Sequence, residues 1–289
     1  MARSPLKFYD RPTLVEPRMV LGLSGWMDGG EVSTGAIEWL VEHLDAALIA
    51  EIDHEPFYLA NFPGSMEIAS LFRPHVVIED GLIRSLEVPA NEFFCAPAHN
   101  LVLFEGREPN VRWRQFVDCV FDVADAAGVS TIYFIGSVGG ATPHTREPRL
   151  LSTVSSESLK PTLAPLGVAF TDYEGPASVV TYMMTRAPKR GLKMASIVAE
   201  VPAYVQGRNP KSIEAVLRKL GPLLGVPLQL DALRAEGDEW ERKLNEHVAN
   251  EPKLAKHIRK LEEAYDHDVF DSQMGDLKDW LEGQGLRVD

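Results

Sequence analysis

The stretch from Met19 to Glu31 constrains the fold of this chain more than any other. An apolar run rich in valine and leucine ends in closely spaced glycines, and a helical pattern begins at Glu31. Such a run is typical of a buried strand, and the glycines indicate a tight turn. A strand that enters a helix through a glycine turn is the first half of a β-α-β unit. The stretch therefore predicts an α/β protein.

A second stretch repeats this pattern. The strand-like run from Thr131 ends in Gly136, Gly139 and Gly140. Turns at the carboxyl ends of parallel strands face the crevice where α/β proteins bind ligands, so we expect the two glycine loops to meet at one edge of a shared sheet. Asp28 in the first loop is then either the N-cap of the following helix or a site residue, and both interpretations stay open.

The chain up to residue 230 predicts strands and helices in alternation. Asp80 and Gly81 separate two strand-like runs and predict a β-hairpin with a type I′ turn, while Asn209 followed by Pro210 predicts a helix start. Residues 56–74 show no clear pattern. Helices are predicted over residues 31–44, 111–127, 155–163, 175–186 and 211–224, and strands over residues 46–52, 75–79, 82–88, 100–106, 131–135, 168–173 and 194–201.

The amino-acid composition is consistent with an α/β protein, and it changes at residue 231. Of the 289 residues 45% are hydrophobic and 25% are charged, which is ordinary for a globular protein. The net charge of −13 and the pI near 5.1 argue against a nucleic-acid surface. From residue 231 the chain is highly charged with sparse apolar positions, which predicts two or three amphipathic helices. We expect an α/β domain over residues 1–230 and a helical extension over residues 231–289 that packs on the core or on a neighbouring subunit.

Thiols and apolar runs bear on the location of the protein. Cys95 and Cys119 have no metal-ligand spacing and are predicted to be buried, reduced thiols. The first residues lack the apolar core of a signal peptide, and no apolar run is long enough to span a bilayer. The expected location is the cytoplasm.

Two kinds of chemistry are considered for the glycine loops. A serine hydrolase is not favoured, because Gly22-Leu23-Ser24-Gly25-Trp26 lacks the last glycine of a nucleophile elbow. Glycines at a helix N-terminus can bring N–H groups to an anion, and Arg146 or Arg149 could add charge. However, neither loop contains a complete phosphate-binding motif, so tight turns alone are the favoured interpretation.

The loop over residues 141–149 is the predicted rim of a pocket. His144 is either a surface residue, which is favoured, or a ligand or base. Asp172 and Glu174 are predicted on one face of a strand and could point into the crevice. No metal site is predicted, and catalytic residues and cofactors stay unassigned. The candidate cleft consists of Trp26, Asp28, Gly29, Gly30, Gly136, Gly139, Gly140, His144 and Arg146.

Several motifs together resemble the PAC2 family, which is named after proteasome assembly chaperone 2. The resemblance extends from Pro17 to Leu230 and depends on the order and spacing of the motifs. Position 27, where the family commonly has asparagine, is methionine. The motifs are Gly25-Trp26-Met27-Asp28-Gly29-Gly30, residues 136–146 with Pro143-His144-Thr145-Arg146, Glu174-Gly175-Pro176 and Val201-Pro202-Ala203-Tyr204-Val205.

The resemblance implies a three-layer α/β/α sandwich of the phosphorylase/hydrolase-like type, similar to purine nucleoside phosphorylases. It also implies homo-oligomers, with a trimer as one arrangement, and a helical extension like that of bacterial members. Members are often given an ATP-grasp superfamily label. Members that dock on proteasome rings use a C-terminal tail with a hydrophobic residue followed by tyrosine. This chain has Arg287 in place of the tyrosine, which argues against docking by the tail.

Three classes of function follow. The favoured one is a non-catalytic, self-associating protein that acts through protein surfaces in assembly, with other copies of the chain and another protein as partners. The second is a protein or enzyme that binds a nucleoside, a nucleotide or phosphate in the cleft of the two glycine loops. The third, an ATP-grasp ligase, is disfavoured because the required acidic ligands and lysines are not found. Neither nucleic acid nor a membrane is a predicted partner.

Overall fold

The computed structural model of the protein describes residues 4–283, with side chains described for residues 4–271 and for Met274. Predictions for the first three residues and for the tail that contains Arg287 lie outside these residues. The strands are β1 (Leu6–Phe8), β2 (Arg18–Ser24), β3 (Ala47–Ile52), β4 (His75–Glu79), β5 (Leu82–Glu87), β6 (Glu92–Ala96), β7 (Leu101–Arg107), β8 (Thr131–Gly140), β9 (Leu150–Ser152), β10 (Ala169–Phe170) and β11 (Lys193–Pro202). The helices are α1 (Val32–His43), α2 (Met66–Ser70), α3 (Trp113–Ala127), α4 (Lys160–Leu163), α5 (Val179–Arg186), α6 (Pro210–Leu224), α7 (Asp231–Ala249) and α8 (Pro252–Gly283).

One large mixed sheet holds most of the strands, in the order β1-β3-β6-β7-β2-β8-β11-β9-β10. The four central strands β7, β2, β8 and β11 are parallel, while β6 and β9 run antiparallel to the central strands that they adjoin. The predicted α/β class is therefore confirmed, with a mixed sheet.

Helices cover both faces of this sheet. Because side chains alternate along a strand, β2 directs Met19 and Leu21 into one buried cluster and Val20 into another. The first cluster is completed by α3 and α5, and the second by α1 and α6. Helix α7 packs on α6, and α8 packs on α7. Two or three helices were predicted after residue 231, and the structure describes two. The protein core lies on both sides of β2.

The glycines of β8 differ from the prediction. Gly136, Gly139 and Gly140 lie within the strand and pair with β11, where a loop was expected. A Cβ at Gly136 would lie 2.4 Å from the Phe134 ring, and one at Gly140 would lie 2.3 Å from the Glu200 side chain. These glycines permit close packing of neighbouring groups, and sequence alone does not distinguish this role from a turn.

Several shorter elements also differ from their predictions. The predicted helix 155–163 is interrupted, because a 3-10 turn at Glu157–Leu159 precedes the one-turn helix α4. The predicted strand 168–173 contains only the two residues of β10, so Asp172 and Glu174 lie in an exposed loop outside any strand. Strand β6 was not predicted as a separate strand. Strand β3 lies near the edge of the sheet, where it pairs with β1 and β6 and not with β2.

The predicted hairpin is confirmed as β4 and β5. Asp80 and Gly81 have φ values of 51° and 75°, and positive values at both central positions are those of a type I′ turn. The two strands form a separate two-stranded sheet, and nearly all of their residues are exposed. The hairpin therefore projects outside the main sheet.

The contact between β2 and α1 depends on a glycine. A Cβ at Gly22 would lie 2.5 Å from the Ser33 carbonyl oxygen and 2.7 Å from Ile37 Cγ1. We expect Gly22→Ala to push α1 away from the sheet and to lower the free energy of unfolding by about 1–3 kcal/mol, measured by urea denaturation. Gly139→Ala is the control, because a Cβ there would meet Ala203 at an ordinary 3.4 Å. Equal stability of the two variants would contradict this account.

Candidate functional site

The two glycine stretches meet at the carboxyl ends of β2 and β8. The Ser137 N–H donates to the Met27 carbonyl at 2.9 Å, and Ser137 Oγ donates to the Gly29 carbonyl at 2.6 Å. A Cβ at Gly29 would lie 3.7 Å from the Gly139 nitrogen. The expected meeting of the two stretches at one edge of the sheet is therefore present.

Asp28 has the geometry of a helix cap. Its Oδ1 accepts hydrogen bonds from the Ser33 N–H at 2.8 Å and the Thr34 N–H at 3.2 Å, and its Oδ2 accepts one from Thr34 Oγ1 at 2.9 Å. These amides belong to the first turn of α1, which has no other cap for them. Burial raises the pKa of the Asp28 carboxyl, although the hydrogen bonds from Thr34 and Ser33 oppose the increase.

Gly30 connects the first turn to α6. Its φ is 66°, and a Cβ there would lie 2.9 Å from Asn209 Cβ. The Asn209 N–H donates to the Gly30 carbonyl at 2.8 Å, and the Asn209 side chain accepts from the Ser212 N–H at 3.0 Å. The predicted start of α6 at Asn209 and Pro210 is confirmed, and this cap also holds the glycine turn in place.

Glu108 is a residue of this region that the sequence analysis missed. Its Oε1 accepts from the Val179 N–H at the start of α5 at 2.8 Å, and its Oε2 accepts from the Trp26 N–H at 3.2 Å. A helix N-terminus favours an anion, and here the anion is a carboxylate of the chain itself. The sequence feature that could have indicated Glu108 is its position directly after β7, which ends at this edge of the sheet.

Glu200 has a similar role at the loop that follows β8. Its Oε1 accepts from the Ala141 N–H at 2.6 Å and from the Thr142 N–H at 2.9 Å. Its side chain crosses Gly140, which explains why a Cβ does not fit there. The carboxylates of Asp28, Glu108 and Glu200 thus occupy the amide groups that an external anion would use at these positions.

His144 is buried, so the favoured prediction of a surface residue is wrong. Its side chain is only 2% exposed, because it lies under α7. Nδ1 is 2.7 Å from the Tyr204 hydroxyl, and Nε2 is 3.2 Å from Asn245 Oδ1 of α7. Burial lowers the pKa of His144, which keeps the imidazole neutral at pH 7.

Arg146 and Arg149 contact α8 and lie away from the glycine turns. Arg146 forms a bidentate ion pair with Asp266, with both nitrogen–oxygen distances at 2.7 Å. Arg149 lies 2.8 Å from Asp268, and its guanidinium is 4.7 Å from the centre of the Tyr265 ring. Loop 141–149, predicted as the rim of a pocket, therefore holds the C-terminal helices to the sheet domain.

Of the nine predicted cleft residues, three line one of two separate clefts and six line neither. Trp26 and Gly139 line a cleft of about 470 Å³ between the start of α5, β9 and the ends of β8 and β11. We call it the neutral cleft, because none of its described lining residues is charged. Its lining residues include Trp26, Gly139, Ser152, Tyr173, Ser178 and Ser196.

Asp28 lines the second cleft, which has a volume of about 770 Å³ and is rich in carboxylates. We call it the acidic cleft, and it includes Glu38, Glu92 and Glu105. Burial, and then repulsion from Glu38, Glu92 and Asp28, raises the pKa of Glu105 to about 7. Among the described side chains, no three His, Cys, Asp or Glu residues are grouped so that they could hold a metal ion.

Two other predictions concern thiols and membranes. Cys95 and Cys119 are both buried and free, as expected, and burial raises the pKa of each thiol. Of the helices that the structure describes, none combines the length and apolar character needed to cross a bilayer.

Comparisons with known proteins identify the family. A PAC2 family profile matches residues 22–248. The structure of the proteasome-assembly chaperone homologue Rv2125 from Mycobacterium tuberculosis is 31% identical, with a TM-score of 0.72 over 83% of this chain and 99% of that chain. A PAC2 family protein from Streptomyces avermitilis is 26% identical, with a TM-score of 0.69 over 83% and 99%. The chain therefore belongs to the PAC2 family.

A further structure shares the fold over a longer span. Rv2714, a protein of unknown function from Mycobacterium tuberculosis, is 20% identical, with a TM-score of 0.83 over 96% of this chain and 94% of that chain. This coverage leaves too few residues to omit α7 and α8, so the C-terminal helices belong to the shared fold. Among curated proteins, no significant match to this chain was found. The comparisons support the PAC2 family and give no support to the ATP-grasp label.

Removal of the Glu105 carboxyl group from the acidic cleft should change the pH dependence of stability. Because the pKa of Glu105 rises from 4.5 to about 7 on folding, the folded state binds this proton more tightly. Its contribution to stability falls as pH rises from about 4.5 to about 7. We expect Glu105→Gln to stabilise the protein at pH 8 by about 1–2 kcal/mol after allowance for solvent screening, and much less at pH 4.

Urea denaturation at both pH values measures this difference. Glu42→Gln is the matched control, because Glu42 is an exposed glutamate on α1. A stabilisation by Glu105→Gln that is the same at pH 4 and pH 8 would contradict the assigned pKa.

The ion pairs of loop 141–149 can be tested separately. We expect Arg146→Met to increase hydrogen exchange in residues 262–271 of α8, because the variant loses the bidentate pair with Asp266 that connects the loop to this helix. Arg242→Met is the control, since the partners of Arg242 among the described side chains, Glu239 and Glu246, belong to its own helix. Unchanged exchange in α8 would show that Arg146 does not hold this helix.

Proposed function

We propose that this protein is a non-catalytic, assembly-chaperone-like member of the PAC2 family that acts through protein surfaces and self-associates. The family match supports the proposal, as does the 31% identity to a protein described as a proteasome-assembly chaperone homologue. The single observation that carries it is a segment with many exposed apolar side chains.

This segment, residues 61–90, is called the arm and contains α2 and the β4–β5 hairpin. Of the eighteen large hydrophobic residues that are exposed among those described, ten belong to the arm. Monomeric proteins rarely expose apolar side chains in such concentration, and patches of this kind mark interaction sites. The ten residues are Phe62, Met66, Ile68, Leu71, Val76, Ile78, Leu82, Ile83, Leu86 and Val88.

One face of the hairpin is apolar. Val76 pairs with Leu86 across the two strands, and Ile78 pairs with Ile83, so these four side chains share a face. Ile78 is 59% exposed and Ile83 is 72% exposed. A two-stranded hairpin is only marginally stable alone, and a hydrophobic face needs another layer to cover it. Another protein surface supplies that layer in the proposed assembly.

A second copy of the chain is the proposed partner for this face. The chain as a whole has a net charge of −13, which opposes association of two copies. The arm has four acidic and two basic residues, so its net charge is −2, and Glu79 lies 3.4 Å from Arg84. The exposed apolar side chains of the arm, and not its charge, therefore favour contact between copies.

The second class of function, anion or nucleotide binding by the glycine loops, is not favoured. The amides that would receive a phosphate group already bind Glu108 and Glu200. Arg146, which was expected to supply positive charge, is paired with Asp266. Ligand binding at the full set of predicted cleft residues stays a prediction.

The fold type, the oligomeric state, the location and the domain boundary are part of the same proposal. We propose the phosphorylase/hydrolase-like sandwich as the fold type, since helices cover both faces of the sheet. A trimer and a cytoplasmic location are proposed on the family resemblance alone. The division at residue 230 is proposed because α7 begins at Asp231, although its contacts with α6 leave no open linker between the two parts.

Self-association through the arm can be measured by light scattering coupled to size-exclusion chromatography. We expect the wild-type chain at micromolar concentration to give a multiple of 32.0 kDa, and Ile78→Lys/Ile83→Lys to shift the mass to the monomer. Lysine at these positions places two charges in the proposed interface, where their desolvation is costly.

Val15→Lys is the control, because Val15 is 74% exposed and lies outside the arm. A wild-type mass of 32.0 kDa, or an unchanged oligomer in the double variant, would contradict the proposal. The assembly role is tested by mixing the oligomer with free proteasome subunits of the source organism on native gels. Ring formation that is no faster with the protein would contradict that role.

A further inference from the structure

The neutral cleft has the position and size of a small-molecule site. It lies near the carboxyl ends of the parallel strands β2, β8 and β11, the edge at which α/β sheets bind ligands. Its volume of about 470 Å³ is within the range of ligand pockets. Its lining differs from that of the acidic cleft, because its polar side chains are hydroxyl groups.

Ser152 provides an independent indication of a ligand. The residue is 1% exposed, lies at the end of β9 and lines the neutral cleft, yet its Oγ has no hydrogen-bond partner. Nearby hydroxyls are satisfied: Ser196 Oγ accepts from the Thr153 N–H at 2.9 Å, and Ser178 Oγ accepts from the Thr181 N–H at 3.2 Å. A buried hydroxyl without a partner is unfavourable. If the Ser152 side chain rotates toward the cleft, a polar atom of a ligand there removes this penalty.

Aromatic and thioether groups form the rest of the cleft. Trp26 is 64% exposed and Tyr173 is 70% exposed, so both rings are available to stack on a ligand. Met27 and Met184 add polarisable side chains that adapt to the shape of a bound group. Flat apolar molecules fit such a lining, because aromatic rings favour offset or edge contacts with one another.

The charges around the cleft argue against an anionic ligand. No lysine or arginine lines it among the described residues. The α5 N-terminus, which would attract an anion, already receives the Glu108 carboxylate at the Val179 N–H. A phosphate or carboxylate in the cleft would face this carboxylate without a compensating cation.

We propose that the neutral cleft binds an uncharged small molecule that has a flat aromatic ring system and a hydroxyl or carbonyl group. Its rings lie against Trp26 and Tyr173, and its polar group forms a hydrogen bond with Ser152 Oγ. This site is separate from the arm and does not depend on the proposed assembly function.

The chemical class is tested with three probes that share one ring system. These are 2-naphthol, 2-naphthyl phosphate and naphthalene, added to the full-length protein and followed by isothermal titration calorimetry and saturation-transfer NMR. We expect 2-naphthol to bind at one site per chain and 2-naphthyl phosphate to bind at least tenfold more weakly. Naphthalene should bind more weakly than 2-naphthol, because it cannot satisfy Ser152.

Variants assign the binding to the cleft. Trp26→Ala should weaken 2-naphthol binding at least fivefold through loss of the stacking surface. Ser152→Ala should weaken 2-naphthol binding severalfold and leave naphthalene binding unchanged or tighter. Phe270→Ala is the control, because Phe270 is 61% exposed on α8 and does not line the cleft. Thermal unfolding of each variant verifies that it is folded.

The outcomes separate the proposal from its alternatives. Binding of 2-naphthol that responds to Trp26→Ala and Ser152→Ala supports the site. Equal or tighter binding of 2-naphthyl phosphate would overturn the uncharged class. Absence of 2-naphthol binding, or binding that Trp26→Ala and Phe270→Ala change equally, would overturn the site itself. None of these results changes the expected oligomer mass, so the two proposals fail independently.

Discussion

Three carboxylates of the chain occupy the backbone amides at one edge of the sheet. Asp28 binds the first turn of α1, Glu108 connects the Trp26 turn to the start of α5, and Glu200 holds the loop after β8. The N–H groups at helix starts and turns have no backbone acceptor and need another one. Charged acceptors form strong hydrogen bonds with them. Because the chain itself satisfies these amides, they are not free to bind an external anion. The neutral cleft, whose described lining residues are uncharged, opens near this edge.

Loop 141–149 also has a structural role, because its polar side chains bind other groups of the same chain. His144 is buried between Tyr204 and α7, and Arg146 pairs with Asp266 of α8. The acidic, highly charged C-terminal helices thereby acquire a basic docking surface on the sheet domain. What resembles a ligand-binding loop in sequence is the attachment of the helices in the structure. Among the described residues, the arm holds more than half of the exposed large hydrophobic side chains.

Features that depend on adjacent residues could be predicted from the sequence. The Asp80–Gly81 turn and the Asn209–Pro210 cap were correct, because the required φ values and side-chain acceptors are set within a few residues. Contacts between distant residues could not be predicted: Glu108 and Val179 are 71 residues apart, and Arg146 and Asp266 are 120 apart. The glycines of β8 were placed in a loop, since the same residue serves turns and close packing.

In the function proposed for this PAC2 protein, the apolar arm is the surface that binds a second copy. Hydrogen exchange measured as a function of protein concentration tests it directly, with α3 of the core as internal reference. If the hairpin face of Val76, Ile78, Ile83 and Leu86 is covered by a second copy, amides of residues 75–87 exchange more slowly at micromolar than at nanomolar concentration, while those of α3 do not change. Exchange in the arm that is fast and independent of concentration would contradict the account.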